Sequence, residues 1–509
     1  MKIISQLVRD RAEDSRDRIF LRFNEVDTTF GDLQAGVQRT AGALLAAGVR
    51  RGDRVGLMLS SSLEHIELFL ATAWIGAVVV PFSIHFRAAG LELQLRSSRP
   101  HVLIANDVHG EAIRTATALM PESPKIIWLD APESLAPGEG VLASYKAAGK
   151  PVIEPVMRDL ADDIIISYTS GTTGAPKGGV LSEQFFYVGA KNAGLLSQAN
   201  REDIYFLWEP FYHVAAWMTV LIALQHGLKI HMVERFSATR LWDQIRVARA
   251  TKFHYLGGLI NIILAQPGRP DDRDNPVTIA WGAACPLASW KTFEDRFAVK
   301  IREGYGLTEA QNFTHINLGP TIGSIGKPVE ELDSWIIDDA GEKVGPGVTG
   351  ELVLRAKSPA VGMTGYWGEP EKTALVLCED GTIHTGDLAM MDEEGNYYFK
   401  GRKKDAMRRR GENVSAWEVE RVINAAPNVE ESAVIGIDAD VGEQEILAVV
   451  KVHPGATADP AAIIRYAADQ LAYYQVPRFI QFVDEFPRGP TQRIKKNEIQ
   501  IDLASAWDA

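Results

Sequence analysis

From the N-terminus to about Gly319, short runs of apolar and β-branched residues alternate with longer segments whose apolar positions recur at helical spacing. Val55 to Leu59 is one such run, followed by the polar Ser60-Ser61-Ser62 and a helical stretch from Leu63; Lys125 to Leu129 and Ile164 to Ile166 are others. The uncharged span between Glu67 and His85 predicts a buried helix in its first half and a buried strand at Val78-Val79-Val80. Such alternation predicts parallel strands joined by crossover helices, an α/β architecture with more than one sheet. Beyond Gly319 the texture changes to strands separated by turn signals, Asp338-Asp339-Ala340-Gly341, Pro346-Gly347 and Asp392-Glu393-Glu394-Gly395-Asn396, which predict antiparallel hairpins.

A polar linker at Gly401-Arg402-Lys403-Lys404-Asp405 marks a boundary, giving units over residues 1–401 and 402–509. The second unit reads as helix Trp417–Asn424, strands Ala433–Ile437 and Ile446–Val452, helix Ala461–Tyr473 and strand Phe479–Val483, a small α+β lobe.

Composition narrows the picture. The chain has 509 residues, 46% hydrophobic and 23% charged, ordinary values for a globular protein. Fifty-three Lys plus Arg against 66 Asp plus Glu leave a net charge of −13, with no basic excess of the kind nucleic-acid binding requires. Cys285 and Cys378 make no CxxC pair and no disulfide framework. The N-terminal residues lack the signal-peptide apolar run of about 7–15 residues, and no stretch reaches the roughly 20 residues of a membrane span. A cytoplasmic protein is expected.

The strongest local signal for chemistry is Ser167-Tyr168-Thr169-Ser170-Gly171-Thr172-Thr173-Gly174-Ala175-Pro176-Lys177-Gly178-Gly179, directly after the apolar run Ile164–Ile166. Glycines let backbone N–H groups wrap a polyphosphate, hydroxyls add neutral donors and the lysine adds charge. The spacing is not that of a Walker A loop. Hydroxyl density after a buried strand favours phosphate binding over an ordinary surface turn.

With that loop in place, the whole chain resembles the adenylate-forming superfamily of acyl-CoA synthetases, luciferases and peptide-synthetase adenylation domains, with five motifs in the family order. The loop matches the family's phosphate loop, which implies nucleotide contacts from Thr169, Ser170, Gly171, Thr172, Thr173, Gly174 and Lys177. Glu209-Pro210-Phe211-Tyr212-His213 follows, where the resemblance makes His213 an aromatic gate beside the acyl site; by its residue type alone it reads equally well as a satisfied core histidine. Trp281-Gly282-Ala283-Ala284-Cys285-Pro286 resembles the segment lining the adenine and acyl pockets, with Ala283 and Ala284 as nucleotide contacts. Glu303-Gly304-Tyr305-Gly306-Leu307-Thr308-Glu309 is similar to the signature in which Tyr305, beside Gly306, stacks on adenine. There Thr308 meets the α-phosphate and Glu309 holds Mg²⁺. His384-Thr385-Gly386-Asp387 implies that Asp387 binds the ribose hydroxyls, with Arg402 assisting and Lys404 at the hinge. The implied fold is a large N-terminal domain of two α/β sheets plus a distorted β-barrel, with a small mobile α+β C-terminal lobe.

The chemistry accords with these roles. A carboxylate is a poor electrophile until it is joined to AMP with release of pyrophosphate, and charge building on the α-phosphate calls for preorganised donors and Mg²⁺. After lobe rotation the CoA thiol attacks the acyl-adenylate. Gly411, in Arg408-Arg409-Arg410-Gly411-Glu412-Asn413, corresponds to the glycine beside which pantetheine threads, where a side chain would obstruct the path. Lys403, Lys404, Arg408, Arg409 and Arg410 read equally as a site for CoA phosphates and as a solvated charged face.

One departure stands out. In Phe486-Pro487-Arg488-Gly489-Pro490-Thr491-Gln492-Arg493-Ile494-Lys495-Lys496, Arg493 occupies the position of the family's adenylation lysine and Gln492 that of the preceding glycine. A planar guanidinium does not reproduce a compact ammonium, and losing one aimed donor costs on the order of 10²–10³ in rate. The expectation is an acyl-CoA ligase that converts an acyl-adenylate and CoA to a thioester, with adenylation weak or absent. A separate adenylating enzyme would then be its partner. A complete ATP-dependent synthetase, in which Arg493 or Lys495 replaces the lysine, is the alternative, and a nucleotide-binding protein without turnover is the third. Trp217 and Trp281, with Gly257 and Gly258 leaving volume between them, are expected to border a pocket for a hydrophobic fatty, aryl or polycyclic acid. A monomer or homodimer is expected. No Gly-x-Ser-x-Gly elbow or His-Glu-x-x-His motif supports a hydrolase.

Overall fold

The structure, a computed structural model, describes residues 1–169, 177–257, 259–285, 287–338, 340–402, 407–414, 416–439, 443–487, 494 and 496–509. The expected phosphate-loop residues Ser170 to Gly174, together with Gly258, Lys403, Lys404 and Arg493, lie outside them; Thr169 and Arg402 are described by backbone alone.

A large N-terminal domain holds two extended sheets. In the first, strands Val78–Pro81, Arg54–Met58, Val102–Ala105 and Lys125–Trp128 are parallel to their neighbours, as the β-branched runs predict. Asp163–Thr169 pairs parallel with Val78–Pro81 on one side and antiparallel with Lys177–Ser182 on the other. In the second sheet, Ile204–Leu207, Lys252–Leu256, Ile279–Ala283 and Lys300–Leu307 run parallel, and Lys300–Leu307 turns into the antiparallel Gln311–Ile316.

The core that includes apolar residues of both sheets also takes in helices Leu63–Trp74, Glu183–Ser197 and Val214–His226, buried along nearly their whole length. Burial nearly all round explains why these helices are predominantly apolar, with their few polar side chains, such as Glu67 and Lys191, paired. Their starts are fixed by side chains: Ser62 accepts from the His65 amide at 3.2 Å and Ser182 from the Phe185 amide at 3.1 Å. The span from Glu67 to His85 therefore divides where the sequence indicates, helix to Trp74 and strand from Val78.

Beyond Gly319, Leu332–Ile337, Thr349–Ala356, Thr382–Met391 and Tyr397–Arg402 form an antiparallel sheet in that order. Its turns use the predicted residues: Asp338 Oδ1 accepts from the amides of Ala340 and Glu342, and Asp392 Oδ1 from that of Asn396. Register shifts at Glu351/Val353 and Leu388/Ala389 bend it. Where a distorted barrel is expected, the described residues form a partially curled four-stranded sheet.

The smaller C-terminal domain has a sheet ordered Val429–Asp438, Gln444–Val452, Phe479–Phe482 and Trp507–Asp508, packed against helices Ala416–Asn424 and Pro460–Gln470. The second helix stops at Gln470, short of the expected Tyr473, because Leu471 is extended and the Gln475 side chain takes the Ala472 amide. Ahead of this sheet, Met407–Arg409 and Glu412–Val414 make a hairpin. Its two-residue turn has φ +54° at Arg410 and +79° at Gly411, the left-handed pair that a tight hairpin needs.

Candidate active site

The site lies where strands of the second sheet end, the usual place for a ligand in an open α/β sheet. Strand Lys300–Leu307 brings Tyr305, Gly306, Thr308 and Glu309 there. Gly306 approaches the neighbouring strand so closely that a Cβ would lie 1.8 Å from the Asn312 carbonyl oxygen, so no other residue fits. The buried Tyr305 hydroxyl donates to Asp387 Oδ2 at 2.6 Å, joining the second sheet to the curled one. Asp387 is held by its own turn: Thr385 Oγ1 donates to the Leu352 carbonyl at 2.7 Å and accepts from the Asp387 amide at 3.1 Å. Arg402 stands opposite Asp387 in the antiparallel register.

Glu309 meets a partner the sequence does not announce. Tyr366 donates to Glu309 Oε1 at 2.7 Å, and Lys177 Nζ lies 5.0 Å from the Tyr366 ring centre. Burial, reinforced by the Glu309 charge, pushes the Tyr366 hydroxyl well above its ordinary value, so it stays a donor. Thr308 packs against the same strand, 3.2 Å from where a Gly179 Cβ would sit. Lys177, Thr308, Glu309 and Tyr366 thus converge from the two sheets. Among the described residues there is no group of three or more His, Cys, Asp or Glu able to hold a metal. A single carboxylate, Glu309, close to Lys177 and Thr308 fits Mg²⁺, which keeps most of its shell as water and substrate phosphate.

Behind these residues lies a buried carboxyl. Glu303 Oε1 accepts from the amides of Ala284 at 2.5 Å and Cys285 at 3.2 Å, and its other oxygen accepts from the Tyr255 hydroxyl. Ala284 has φ +63°, unusual for a residue with a side chain. Glu303 therefore anchors a strained turn beside Ala283, which pairs with Gly304. Burial outweighs these donors and pushes the Glu303 carboxyl up to about 8. Burial and the nearby Glu303 also raise the Cys285 thiol, which makes a poor nucleophile of it.

A second region is a cleft of about 1570 Å³ between the domains. Its apolar lining includes Trp208, Met232, Phe236, Leu256, Leu259 and Ile262, and the hairpin contributes Arg410, Gly411 and Glu412. His213 lines it, half-buried, and its Nε2 lies 2.8 Å from Glu412 Oε1 and 2.7 Å from Oε2. It is not a core histidine. Burial lowers the His213 imidazole, but the Glu412 charge and hydrogen bond outweigh that and leave it above its ordinary value. Burial raises Glu412, and His213 in turn outweighs this and holds it below the usual carboxylate range. Space beside Gly411 is open: among the described residues other than its chain neighbours, none has an atom within 4 Å of where a Cβ would sit.

The expected pocket walls sit elsewhere. Trp217 is fully buried, stacked on Phe69 at 3.8 Å with its Nε1 donating to the Phe211 carbonyl. Trp281 is equally enclosed, 4.5 Å from the His254 ring. Neither lines the cleft. Gly257 does not leave volume for a ligand: Arg408 fills it, with Nε 3.1 Å from where a Cβ would be. Phe23, Trp208, Tyr212, Phe236 and Tyr473 are among the aromatic residues that reach the cleft instead, and only the apolar character of the segments around Trp208 and Phe236 hints at this in the sequence.

Comparison with known proteins defines the class. The family described as AMP-binding enzyme matches residues 8–367, and its companion, AMP-binding enzyme C-terminal domain, matches residues 418–493. The chain is 30% identical over 492 residues to the fatty acid–[acyl-carrier-protein] ligase ScoC of Streptomyces coeruleorubidus, covering 93% of this chain and 91% of that one. It is also 30% identical over 509 residues to the long-chain-fatty-acid–CoA ligase FadD13 of Mycobacterium tuberculosis, covering 98% of each. A double mutant of the Bacillus subtilis o-succinylbenzoate CoA synthetase, bound to a product analogue, shares the fold with a TM-score of 0.85 at 22% identity, over 97% of each chain. Fold and matches together describe a nucleotide-dependent acyl ligase built of two domains. The chain belongs to the AMP-binding enzymes, the adenylate-forming superfamily that includes acyl-CoA and acyl-carrier-protein ligases. None of its described helices is long and apolar enough to cross a membrane.

Proposed function

We propose that this chain forms an acyl-CoA thioester from CoA and the acyl-adenylate of a hydrophobic carboxylic acid, and that its own adenylation step is weak or absent. The observation that carries the reading is the hairpin turn of the C-terminal domain, with Gly411 and Glu412 closed over His213 at the apolar cleft. Open space beside Gly411 suits a threaded pantetheine arm. A cleft of about 1570 Å³ exceeds the roughly 300–1,000 Å³ of a single drug-sized ligand and suits an acyl chain and a long thiol together.

At the other end, Asp387 takes the ribose hydroxyls with Arg402 beside it, Tyr305 lies along the adenine, and Thr308 meets the α-phosphate. Lys177 and the loop from Thr169 to Gly174 cradle phosphate. Glu309, held by Tyr366, receives Mg²⁺, whose contribution is to neutralise phosphate charge. Residues 402–509 act as the moving lobe, turning near Lys404.

Weak adenylation rests on Arg493 at the lysine position. A complete ATP-dependent synthetase is favoured in turn by the intact set Lys177, Thr308, Glu309 and Tyr366, which a purely thioester-forming enzyme needs less. A two-arm assay separates them. One arm measures pyrophosphate released from ATP with a panel of acids, the other thioester formed from synthetic acyl-adenylate and CoA. The reading expects the second arm to exceed the first by about 10²-fold or more. Comparable rates identify a complete synthetase, and silence in both arms a binding protein.

A further inference from the structure

The His213–Glu412 pair joins two domains across the cleft, which a core histidine would not do. Glu412 belongs to the hairpin after Gly411; His213 is the last residue before helix Val214–His226. Their approach of 2.7–2.8 Å leaves the imidazole with one nitrogen engaged and the other, Nδ1, available as an acceptor in the neutral form. Among the described residues, the charged and titratable groups around His213 include Glu412 and Arg408 from the hairpin, Glu209 and Tyr212 from its own segment, and His85, which faces both Tyr212 and Tyr473. Glu412 and Glu209 outweigh Arg408 and make this imidazole a stronger base than a free one.

We propose that His213, oriented by Glu412, is the base that takes the proton of the attacking thiol, and that this pair exists only when the C-terminal hairpin closes the cleft. The inference rests on the thioester-forming reading above and deepens it. The thiol S–H proton passes to Nδ1 while Nε2–H donates to Glu412. The sulfur forms its bond to the acyl carbonyl carbon. The bond from that carbon to the phosphate oxygen breaks, and its electron pair leaves with AMP. The imidazolium then returns its proton to solvent. His213 touches the reacting atom and is catalytic in this scheme, whereas Glu412 is a positioning residue. Its benefit is to couple deprotonation to closure: an open lobe leaves the imidazole without its orienting carboxylate, so the thiol is activated only where it can react.

The test measures thioester formation from synthetic acyl-adenylate and CoA between pH 6 and 9.5 for the wild type, His213→Ala and Glu412→Gln. General-base catalysis contributes about 10²–10⁴-fold. His213→Ala should lose about 10²-fold at pH 7, narrow the deficit as the free thiol ionises near pH 8.5–9, and recover activity with added imidazole. Glu412 raises the His213 pKa, so Glu412→Gln should move the acidic limb of the profile to lower pH as well as reducing the plateau. A deficit constant across pH, without imidazole rescue, overturns the assignment while leaving the ligase reading in place. Absence of thioester from the wild type overturns that reading and this inference together. Intrinsic fluorescence on adenylate binding checks that each variant is folded, and Glu412→Gln alone decides the matter through its pH limb should His213→Ala fail to fold.

Discussion

Replacing Glu303 with Gln tests whether a buried carboxyl stores pH-dependent strain at the heart of the site. In the folded chain this group is pushed up to about 8 from an ordinary value of 4.5, with burial as the main cause. A carboxyl raised on folding holds its proton when the unfolded chain has lost its own. The unfolded state therefore binds fewer protons between about pH 4.5 and 8, and stability falls as pH rises through that window. Each tenfold change in proton affinity is about 1.4 kcal/mol, so the loss is on the order of 4 kcal/mol by pH 8. Gln keeps an acceptor for the Ala284 and Cys285 amides and carries no charge, so it removes this dependence. Melting temperatures of the wild type and Glu303→Gln should then be close near pH 5 and diverge by several degrees at pH 8, with the variant the more stable, at about 2 °C per kcal/mol for a large domain. Parallel curves across pH 5–8 would refute the idea that Glu303 is buried against its ionisation.

Other expectations follow from single contacts. Gly306→Ala places a methyl 1.8 Å from the Asn312 carbonyl, so it should yield little soluble protein or melt at least about 5 °C lower, read by expression and thermal unfolding. Asp387→Ala removes the 2.6 Å hydrogen bond from the buried Tyr305 hydroxyl; a loss of about 1–3 kcal/mol in stability and of about 10- to 100-fold in AMP affinity should appear by calorimetry. Arg493→Lys should raise acid-dependent pyrophosphate release by about tenfold or more with little change in thioester formation from preformed adenylate.

Much of the scaffold was legible because single-segment patterns determine it. Apolar runs such as Val55–Leu59 become parallel strands, and Ser62 or Ser182 before an apolar stretch caps a helix. Gly306 and Gly411 are named through the family resemblance, and the structure supplies the backbone reason at each: a close approach at Gly306 and a positive φ at Gly411. What the sequence does not expose is side chains whose partners lie far along the chain. Tyr366 meets Glu309 across 57 positions and Glu412 meets His213 across 199, and no periodicity reports either. Trp217 and Trp281 mislead for a related reason: a large aromatic in an apolar segment looks the same whether it faces a pocket or a neighbouring helix. Helix Pro460–Gln470 ends early because Leu471 is extended and the Gln475 side chain takes the Ala472 amide, which leaves Tyr473 free of the helix and against His85, a contact invisible to helical spacing.

The most direct measurement is a single turnover: enzyme preloaded with one equivalent of synthetic acyl-adenylate is mixed with CoA, and the quenched products are counted over time. AMP and acyl-CoA should rise together in equal amounts. Release of AMP with free acid and no thioester would contradict the central claim.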